Sequence, residues 1–356
     1  MTTEKIKTDT LIVGAGQAGV AMSEHLSKLG VPHLVLERNR IAERWRTGRW
    51  DSLVANGPAW HDRFPGLDFD DLSPDDFAPK ERVADYFEAY AKKFNAPIRT
   101  GVGVLKVERN VGRPGFTIET SEGVIEANRV VAATGPFQRP VIPPIAPKDQ
   151  PFLQIHSADY RNPAQLPDGD ILVVGAGNTG AELALEAAGA GHKVFLSGRD
   201  VGHIPRVLWV SNGRLFWFLA TYVFTTGSPI GRRIGSSIRV GHSGPIVRIR
   251  KDDLARADIA RVARVTGAYN GRPRLEDGRA LDVKAVLWCT GFTMDFSWIH
   301  LPIFTPDGYP MHERGRVPAA PGLYFVGLPL QRSLSSSTLV GVGRDATLVA
   351  DWISKS

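Results

Sequence analysis

Two glycine-rich motifs in this chain have the residue types and spacing that bind the diphosphate of a dinucleotide. The first, GAGQAG at residues 14–19, follows the apolar run 11–13 and precedes residues with helical spacing. Gly14 permits the tight turn, Gly16 lets a pyrophosphate approach the backbone, and Gly19 lets helix and strand pack closely. The helix N-terminus then offers unpaired N–H groups to the phosphates. The predicted contacts are Gly14, Gly16, Gln17, Ala18 and Gly19.

An acidic residue at the expected distance strengthens this interpretation. A second apolar run, 31–36, ends on Glu37, which lies 23 residues after Gly14 and is followed by Arg38. At that position an acid accepts hydrogen bonds from ribose hydroxyls. Strand, turn, helix, strand and acid in this order favour a dinucleotide site, which includes Glu37 and Arg38, over a simple glycine-rich turn.

The second motif, GAGNTG at residues 175–180, follows the apolar run 171–174. The position 23 residues after Gly175 is not an acid, and Ser197 and Arg199 flank it. An acid would repel a 2′-phosphate, whereas an arginine and a hydroxyl can bind it, so this site favours NADPH over NADH. The alternative is that Arg199 is one of 43 scattered cations. The predicted contacts are Gly175, Gly177, Asn178, Thr179, Gly180, Ser197 and Arg199.

Two dinucleotide sites in one chain predict hydride transfer from a nicotinamide to a flavin. A dithiol reductase is excluded because Cys289 is the one cysteine. The nine histidines show no metal-ligand spacing, and no G-x-S-x-G motif supports a serine hydrolase. The remaining possibility is a reduced flavin that passes electrons to oxygen, to a quinone-like acceptor or to another protein.

Composition fits a soluble globular protein of two domains, with 356 residues, 43% hydrophobic and 22% charged. The net charge is +6, but the basic residues form no block, so nucleic-acid binding is not expected. The N-terminus is too polar for a signal peptide, and the apolar run 215–224 is far shorter than the ~20 residues that cross a bilayer. We expect a cytoplasmic protein with no transmembrane segment.

The elements that must position these motifs alternate between strands and helices. Periodicity predicts a helix over 80–94 and an antiparallel meander of 98–107, 116–120 and 123–133 before the second motif. Further strands are predicted at 246–249, 259–265, 283–289 and 322–326, and a final helix at 345–353. The apolar segment 207–224 is predicted to be a buried helix. A substrate-entrance wall and a membrane-dipping lid are the alternatives.

Beyond the paired glycine motifs, the chain resembles the flavin-containing monooxygenases, a branch of the class B flavoprotein monooxygenases, over nearly its whole length. The family fingerprint F-x-G-x-x-x-H-x-x-x-Y is only half present, because no glycine separates Phe152 from His156. The marks of the resemblance are GAGQAG at 14–19, Trp45-Arg46, Asn56-Gly57-Pro58, Ala133-Thr134-Gly135, His156-Ser157 with Tyr160, GAGNTG at 175–180 and Cys-Thr-Gly-Phe at 289–292.

The resemblance implies an α/β fold of two Rossmann-like domains with antiparallel meander insertions. FAD would bind at the first motif with Glu37, with Trp45 and Arg46 near the flavin, and NADPH at the second. Asn56 matches the family asparagine that lies beside the flavin and helps to stabilise the hydroperoxide formed with oxygen. Gly135 belongs to a crossing between domains. The family pattern divides the chain into an FAD domain, 1–148 plus 292–356, and an NADPH domain, 149–291.

The expected function is NADPH-dependent, FAD-catalysed insertion of one oxygen atom from O2 into a small organic substrate. The preferred reaction is oxygenation at nitrogen or sulfur, and oxidation at a carbonyl is the second choice. An NADPH-dependent flavin reductase that serves a quinone or a protein acceptor is the first alternative, and a redox-sensing binding module without turnover is another. Homodimer formation is left open, and no metal is expected.

Overall fold

The computed structural model describes residues 6–145, 150–239 and 244–356. In chain order the strands are β1 (Ile6–Val13), β2 (His33–Glu37), β3 (Ile98–Thr100), β4 (Val104–Arg109), β5 (Phe116–Thr120), β6 (Gly123–Ala132), β7 (Arg139–Pro140), β8 (Leu153–His156), β9 (Ile171–Val174), β10 (Val194–Ser197), β11 (Ala260–Val262), β12 (Val265–Tyr269), β13 (Arg272–Leu275), β14 (Ala285–Trp288), β15 (Phe292–Thr293) and β16 (Leu323–Phe325). The α-helices are α1 (Gln17–Lys28), α2 (Glu43–Thr47), α3 (Lys80–Lys93), α4 (Asn178–Gly189), α5 (Val210–Phe218), α6 (Pro229–Arg239), α7 (Lys251–Arg256) and α8 (Leu339–Ser354).

The first sheet has the order β3-β2-β1-β6-β5-β4, with β16 also pairing with β6. Strands β1, β2, β3, β6 and β16 run parallel, whereas β4, β5 and β6 form the antiparallel meander. Parallel strands place their carboxyl ends at the same edge of a sheet. The first glycine motif, Glu37 and Gly135 therefore meet at one edge, where doubly wound folds bind ligands.

The second sheet has the order β11-β10-β9-β14-β8, and every pairing in it is parallel. Strand β9 is fully buried, which explains its uninterrupted apolar sequence Ile171–Val174. Its carboxyl end carries the second glycine motif, and the neighbouring strand β10 ends next to Arg199. The predicted α/β fold class is confirmed.

Two strand predictions are wrong in detail. The segment 98–107 is split at 101–103, where Gly101 has a φ of +80°. Strand β3 continues the parallel sheet beside β2, whereas β4 turns back to pair antiparallel with β5. Residues 246–249 form no strand, and Ile246 makes only an isolated bridge with His203. Ile246, Val247 and Ile249 are apolar because they pack on hydrophobic cores as part of a loop, not because they pair with a sheet.

The segment 206–224 is helical but is not the buried helix that its composition predicts. It consists of a short 3-10 turn, α5 and a π-helical turn. Phe216, Trp217 and Ala220 are buried, whereas Phe218 and Tyr222 are 55% and 56% exposed. One side of the segment therefore packs on the protein, and the other side is an apolar surface.

The two sheets are closely connected by the residues after α2. Trp50 and Leu53 lie in the hydrophobic core of the second sheet. The backbone N–H of Asp51 donates a 2.7 Å hydrogen bond to the carbonyl oxygen of Arg161. The predicted domain boundary between residues 148 and 149 lies outside the described residues, so the domain division stays a prediction. Among the helices in the described ranges, none is both long and apolar enough to span a bilayer.

Candidate functional site

The first glycine turn leaves open space where a phosphate would lie. Gly14 has a φ of +103°, and a Cβ on Gly19 would lie 1.8 Å from the Gly14 carbonyl oxygen. A Cβ on Gly16, in contrast, would meet no described atom within 4 Å. Gly16 caps α1 without any side-chain hydrogen bond, so the helix N-terminus keeps its N–H groups available. Gly14 and Gly19 shape the turn, and Gly16 leaves room for a ligand.

The side chains between and around these glycines have different tasks. Ala18 is buried, and a Cβ on Gly327 would lie 2.9 Å from the Ala18 Cβ, so Ala18 packs inside the protein. The Gln17 amide donates a 2.7 Å hydrogen bond to the Ser337 carbonyl oxygen, which ties the turn to the loop before α8. Glu37 accepts a 2.9 Å hydrogen bond from the Ala15 N–H, and Arg38 beside it is exposed.

The second turn repeats the first. Gly175 has a φ of +110°, and a Cβ there would lie 2.2 Å from the Cys289 carbonyl oxygen. A Cβ on Gly180 would lie 1.7 Å from the Gly175 carbonyl oxygen. Gly177 caps α4 without a side-chain hydrogen bond. This N-terminus is thus a second site at which an anion can meet free N–H groups.

The two predicted phosphate contacts near the end of β10, Ser197 and Arg199, lie in different surroundings. Arg199 is exposed and makes no ion pair with any acid in the described ranges, so its guanidinium is available to an anion. The Ser197 hydroxyl, however, is fully buried. It donates a 2.8 Å hydrogen bond to the Ala263 carbonyl oxygen and accepts one of 3.2 Å from the Val265 N–H. The structure therefore gives Ser197 a role in joining β10 to the following strands instead of the predicted phosphate contact.

Asn178 holds the turn to a neighbouring loop. Its Oδ1 accepts a 2.8 Å hydrogen bond from the Val247 N–H, and its Nδ2 donates one of 3.2 Å to the Pro245 carbonyl oxygen. The next residue, Thr179, is half-buried. Asn178 thus positions the turn, and the apolar residues 246–249 are needed to receive it.

Trp45 and Arg46 lie on α2. Trp45 is half-buried and packs against both large cores, with its ring centroid 6.4 Å from that of Phe87. The Arg46 guanidinium forms 2.9 Å ion pairs with Asp85 and Glu88 on α3. Arg46 is therefore committed to joining α2 and α3. Gly135, at a φ of +69°, follows β6 at the ligand edge of the first sheet.

Asn56 is exposed, and its side-chain amide makes no hydrogen bond to another residue in the described ranges. The turn beneath it is rigid, because the Asp62 Oδ2 accepts a 3.1 Å hydrogen bond from the Gly57 N–H. The other oxygen of Asp62 accepts a 2.6 Å hydrogen bond from the His61 Nδ1. Asn56 thus presents a free amide on a fixed turn, as a ligand-binding side chain requires.

An arginine that the sequence analysis missed lies where the chain crosses between the sheets. The guanidinium carbon of Arg49 lies 4.5 Å from the Phe137 ring centroid and 5.8 Å from that of Phe292. Burial, together with the nearby Arg44 charge, lowers the pKa of Arg49 to about 10. No local pattern marked this residue, because the two aromatic rings come from distant parts of the chain.

His156, which the resemblance singled out, is a buried structural residue. Its Nδ1 accepts a 3.1 Å hydrogen bond from the Ala158 N–H, and its Nε2 donates one of the same length to the Gly291 carbonyl oxygen. Burial lowers the pKa of His156, which favours the neutral ring. His156 therefore fixes the chain crossing and is not available to a ligand through either nitrogen.

Three segments converge beside the Asn56 turn. Trp60 and Leu334 pack on the buried side of segment 206–224. The Ser335 N–H donates a 3.3 Å hydrogen bond to the Ala220 carbonyl oxygen, and Arg344 on α8 donates one of 2.6 Å to the Thr221 carbonyl oxygen. Segment 206–224, which follows the second sheet in the chain, thus reaches the loop before α8 and the turn that carries Asn56.

Comparison with known proteins places this arrangement among flavoproteins. Residues 11–207 match the pyridine nucleotide-disulphide oxidoreductase family. The chain is 35% identical to the oxidoreductase CzcO-like of Geobacillus kaustophilus, and the match covers 95% of this chain and 96% of that protein. It is 28% identical to the indole-3-pyruvate monooxygenase YUCCA1 of Oryza sativa subsp. japonica, over 94% of this chain and 90% of the relative.

Among solved structures, a flavin-containing monooxygenase from Stenotrophomonas maltophilia superposes with a TM-score of 0.77 at 22% identity. The superposition covers 98% of this chain and 99% of that one. The likeness therefore extends over both sheets and the segments that join them. The predicted resemblance to flavin-containing monooxygenases is confirmed.

Proposed function

The chain belongs to the pyridine nucleotide-disulphide oxidoreductase family, and from that premise we propose that it is an FAD-dependent monooxygenase reduced by NADPH. It would insert one oxygen atom from O2 into a small organic substrate. The observation that carries this proposal is the pair of glycine turns, each of which follows a parallel strand and leaves the N-terminus of its helix without a side-chain cap.

The residues of the first turn fit FAD. The open space at Gly16 and the free N–H groups of α1 suit a pyrophosphate, and the Glu37 carboxylate suits ribose hydroxyls. Reduced flavin supplies the chemistry that activates O2. Arg46 is used in ion pairs, so the proposal assigns it no contact with the cofactor.

The residues of the second turn fit NADPH. The N–H groups of α4 would hold the pyrophosphate. The exposed Arg199 would bind the 2′-phosphate, and the nearby Ser197 hydroxyl takes no part because it is buried. An arginine that forms no ion pair with an acid in the described ranges favours a phosphate over a ribose hydroxyl, and the adjacent Asp200 pairs with Lys251 instead.

The family name includes disulphide reduction, which this chain cannot perform with its own thiols. Cys289 is the one cysteine in the sequence, and burial raises the pKa of its thiol. Thiolate chemistry requires the opposite, a lowered pKa and an accessible sulfur. Transfer of electrons from the flavin to oxygen or to an external acceptor is the remaining route.

Asn56 supports oxygenation over simple reduction. Its amide, which bonds to no other residue within 6–145, 150–239 and 244–356, can donate a hydrogen bond to an oxygen atom without taking up or losing a proton at neutral pH. Segment 206–224 packs buried aromatic rings beside this turn. Apolar walls of this kind suppress the side reactions of reactive oxygen species where they exclude water.

A rapid-mixing experiment tests the proposal. The flavoprotein is reduced with NADPH without oxygen and is then mixed with O2 while the spectrum is recorded. A species that absorbs in the near ultraviolet and persists for seconds, followed by transfer of ¹⁸O from ¹⁸O2 to a thioether or amine, is expected. Immediate reoxidation with one H2O2 per NADPH would instead identify a flavin reductase, and a flavin that NADPH does not bleach would identify a binding module.

A further inference from the structure

A cluster of nitrogen-bearing rings beside the Asn56 turn has no task in the chemistry above. His61 stacks on Trp217 with ring centroids 4.1 Å apart, and Trp60 meets His61 edge-on at 5.5 Å. The Nε1 atoms of both tryptophans and the Nε2 of His61 are buried without a hydrogen-bond partner in residues 6–145, 150–239 and 244–356. Buried polar atoms are normally paired, so three orphan nitrogens in one cluster indicate a place where a ligand completes the bonding.

The cluster contains two hydrogen-bond donors and lies beside a positive charge. An indole N–H can only donate, so Trp60 and Trp217 each lack an acceptor. The two oxygens of Asp62 already accept hydrogen bonds from His61 and from the Gly57 N–H. The exposed Arg214 guanidinium lies 4.5 Å from the Trp60 ring centroid and has no acidic partner in the part of the chain that the structure describes. The missing partner is therefore a hydrogen-bond acceptor with negative charge.

We propose that Trp60, His61 and Trp217 form a recognition subsite for a small apolar molecule that carries a carboxylate. The carboxylate accepts from the two indole N–H groups, and the apolar body packs against the three rings. Arg214 attracts the anion to the subsite. The proposal rests on the proposed function, because it names the substrate class for the reaction beside Asn56.

Segment 206–224 packs over this subsite and bends sharply where α5 begins. Three consecutive residues at the start of α5, Ser211, Asn212 and Gly213, have φ values of 51°, 54° and 82°. Two of them are not glycine, and such conformations persist only where the surrounding structure holds them. The buried side of the segment carries Trp217 over His61, while the outer side is exposed.

Calorimetric titration of the oxidised flavoprotein with phenylacetate and with its neutral isostere phenylacetamide tests the subsite. We expect phenylacetate to bind at least tenfold more tightly. Trp60→Phe and Trp217→Phe each keep a ring but remove an N–H, so each should weaken phenylacetate binding roughly tenfold and phenylacetamide binding less, because the amide oxygen is an uncharged acceptor. Trp209→Phe is the matched control, since Trp209 lies on the same segment and its nitrogen is not among the orphan atoms.

Equal affinity for acid and amide would overturn the proposal. The same follows if phenylacetate does not bind saturably to the folded wild type, or if Trp209→Phe weakens binding as much as the other two variants. The titration uses neither NADPH nor O2. A chain that binds phenylacetate through these rings but never oxygenates a substrate would therefore refute only the proposed function. Oxygenation in a chain whose Trp60→Phe and Trp217→Phe variants bind phenylacetate normally would refute only the subsite.

Discussion

The carboxylate of Glu37, at the end of β2, accepts a 2.9 Å hydrogen bond from the backbone N–H of Ala15 inside the first glycine turn. Strand β2 pairs in parallel with β1, which leads into this turn, so the bond fixes the acid at the edge where both strands end. Glu37, which the sequence places 23 residues after Gly14, therefore lies beside the first glycine turn in the structure as well.

Replacement of this acid should release the flavin. Glu37→Ala removes a charged acceptor for ribose hydroxyls, and we expect FAD affinity to fall roughly tenfold to a hundredfold. Reconstitution of the apoprotein, followed by flavin fluorescence, measures this affinity. Glu122→Ala, an exposed acid in the β5–β6 turn, should leave it unchanged. Equal affinity in wild type and Glu37→Ala would contradict the assignment.

Two glycines of the same motif should fail in different ways. A Cβ on Gly16 meets no described atom, so Gly16→Ala should keep its thermal stability and lose FAD. A Cβ on Gly19 would lie 1.8 Å from a carbonyl oxygen, so Gly19→Ala should lose roughly 1–3 kcal/mol of unfolding free energy. Denaturant unfolding of the apoproteins separates the two effects. Similar destabilisation in both variants would show that Gly16 serves the fold alone.

Arg199 should set the preference for NADPH over NADH. Arg199→Ala removes one charged contact with the 2′-phosphate, which is worth roughly tenfold to a hundredfold in affinity. The rate of flavin bleaching at varied coenzyme concentration gives both affinities. NADPH binding should weaken by that factor while NADH binding stays constant. Arg256→Ala, an exposed arginine on α7, is the control, and equal losses for both coenzymes would count against the phosphate contact.

Asn56→Ala should separate NADPH consumption from product formation. Since the amide bonds to no other residue in the described structure, its removal should leave stability and FAD binding intact. Loss of a hydrogen-bond donor near the reacting oxygen should lower product per NADPH roughly fivefold or more, with H2O2 making up the difference. Paired assays of NADPH, product and H2O2 measure this ratio. An unchanged ratio would remove Asn56 from the reaction.

Asp345 should make the protein less stable at neutral pH than at acidic pH. Burial raises the pKa of this α8 carboxyl to about 7. A hydrogen bond from Ser336 and the charges of Arg332 and Arg344 lower the pKa, but burial has the larger effect. The folded state therefore binds the proton more tightly than the unfolded state. The resulting penalty is absent below about pH 4, grows up to about pH 7 and is constant above it.

Asp345→Asn should remove that penalty. At pH 8 it should raise the free energy of unfolding by up to about 4 kcal/mol, and at pH 4 it should have little effect. Urea unfolding at both pH values, with Asp351→Asn on the same helix as the control, measures the difference. A gain of the same size at both pH values would show that ionisation of Asp345 is not the cause.

Features that depend on neighbours in the chain could be predicted from the sequence. The glycine turns follow from a steric requirement within six residues, and Glu37 and Arg199 follow from the fixed length of a strand–helix–strand unit. Helix α3 spans Lys80–Lys93, close to the predicted 80–94, because its apolar face repeats every 3.6 residues.

Features that depend on partners far along the chain were decided by the tertiary structure. Ser197 is the last residue of β10, and its hydroxyl is buried against Ala263. Arg199 lies beyond the strand, after Gly198 at a φ of +138°, and its side chain is exposed. Arg46 forms ion pairs with Asp85 and Glu88 on α3. His61 and Trp217 stack only because segment 206–224 returns over the Asn56 turn. Sequence spacing fixes which groups can do chemistry, whereas burial and long-range pairing decide which of them stay available for it.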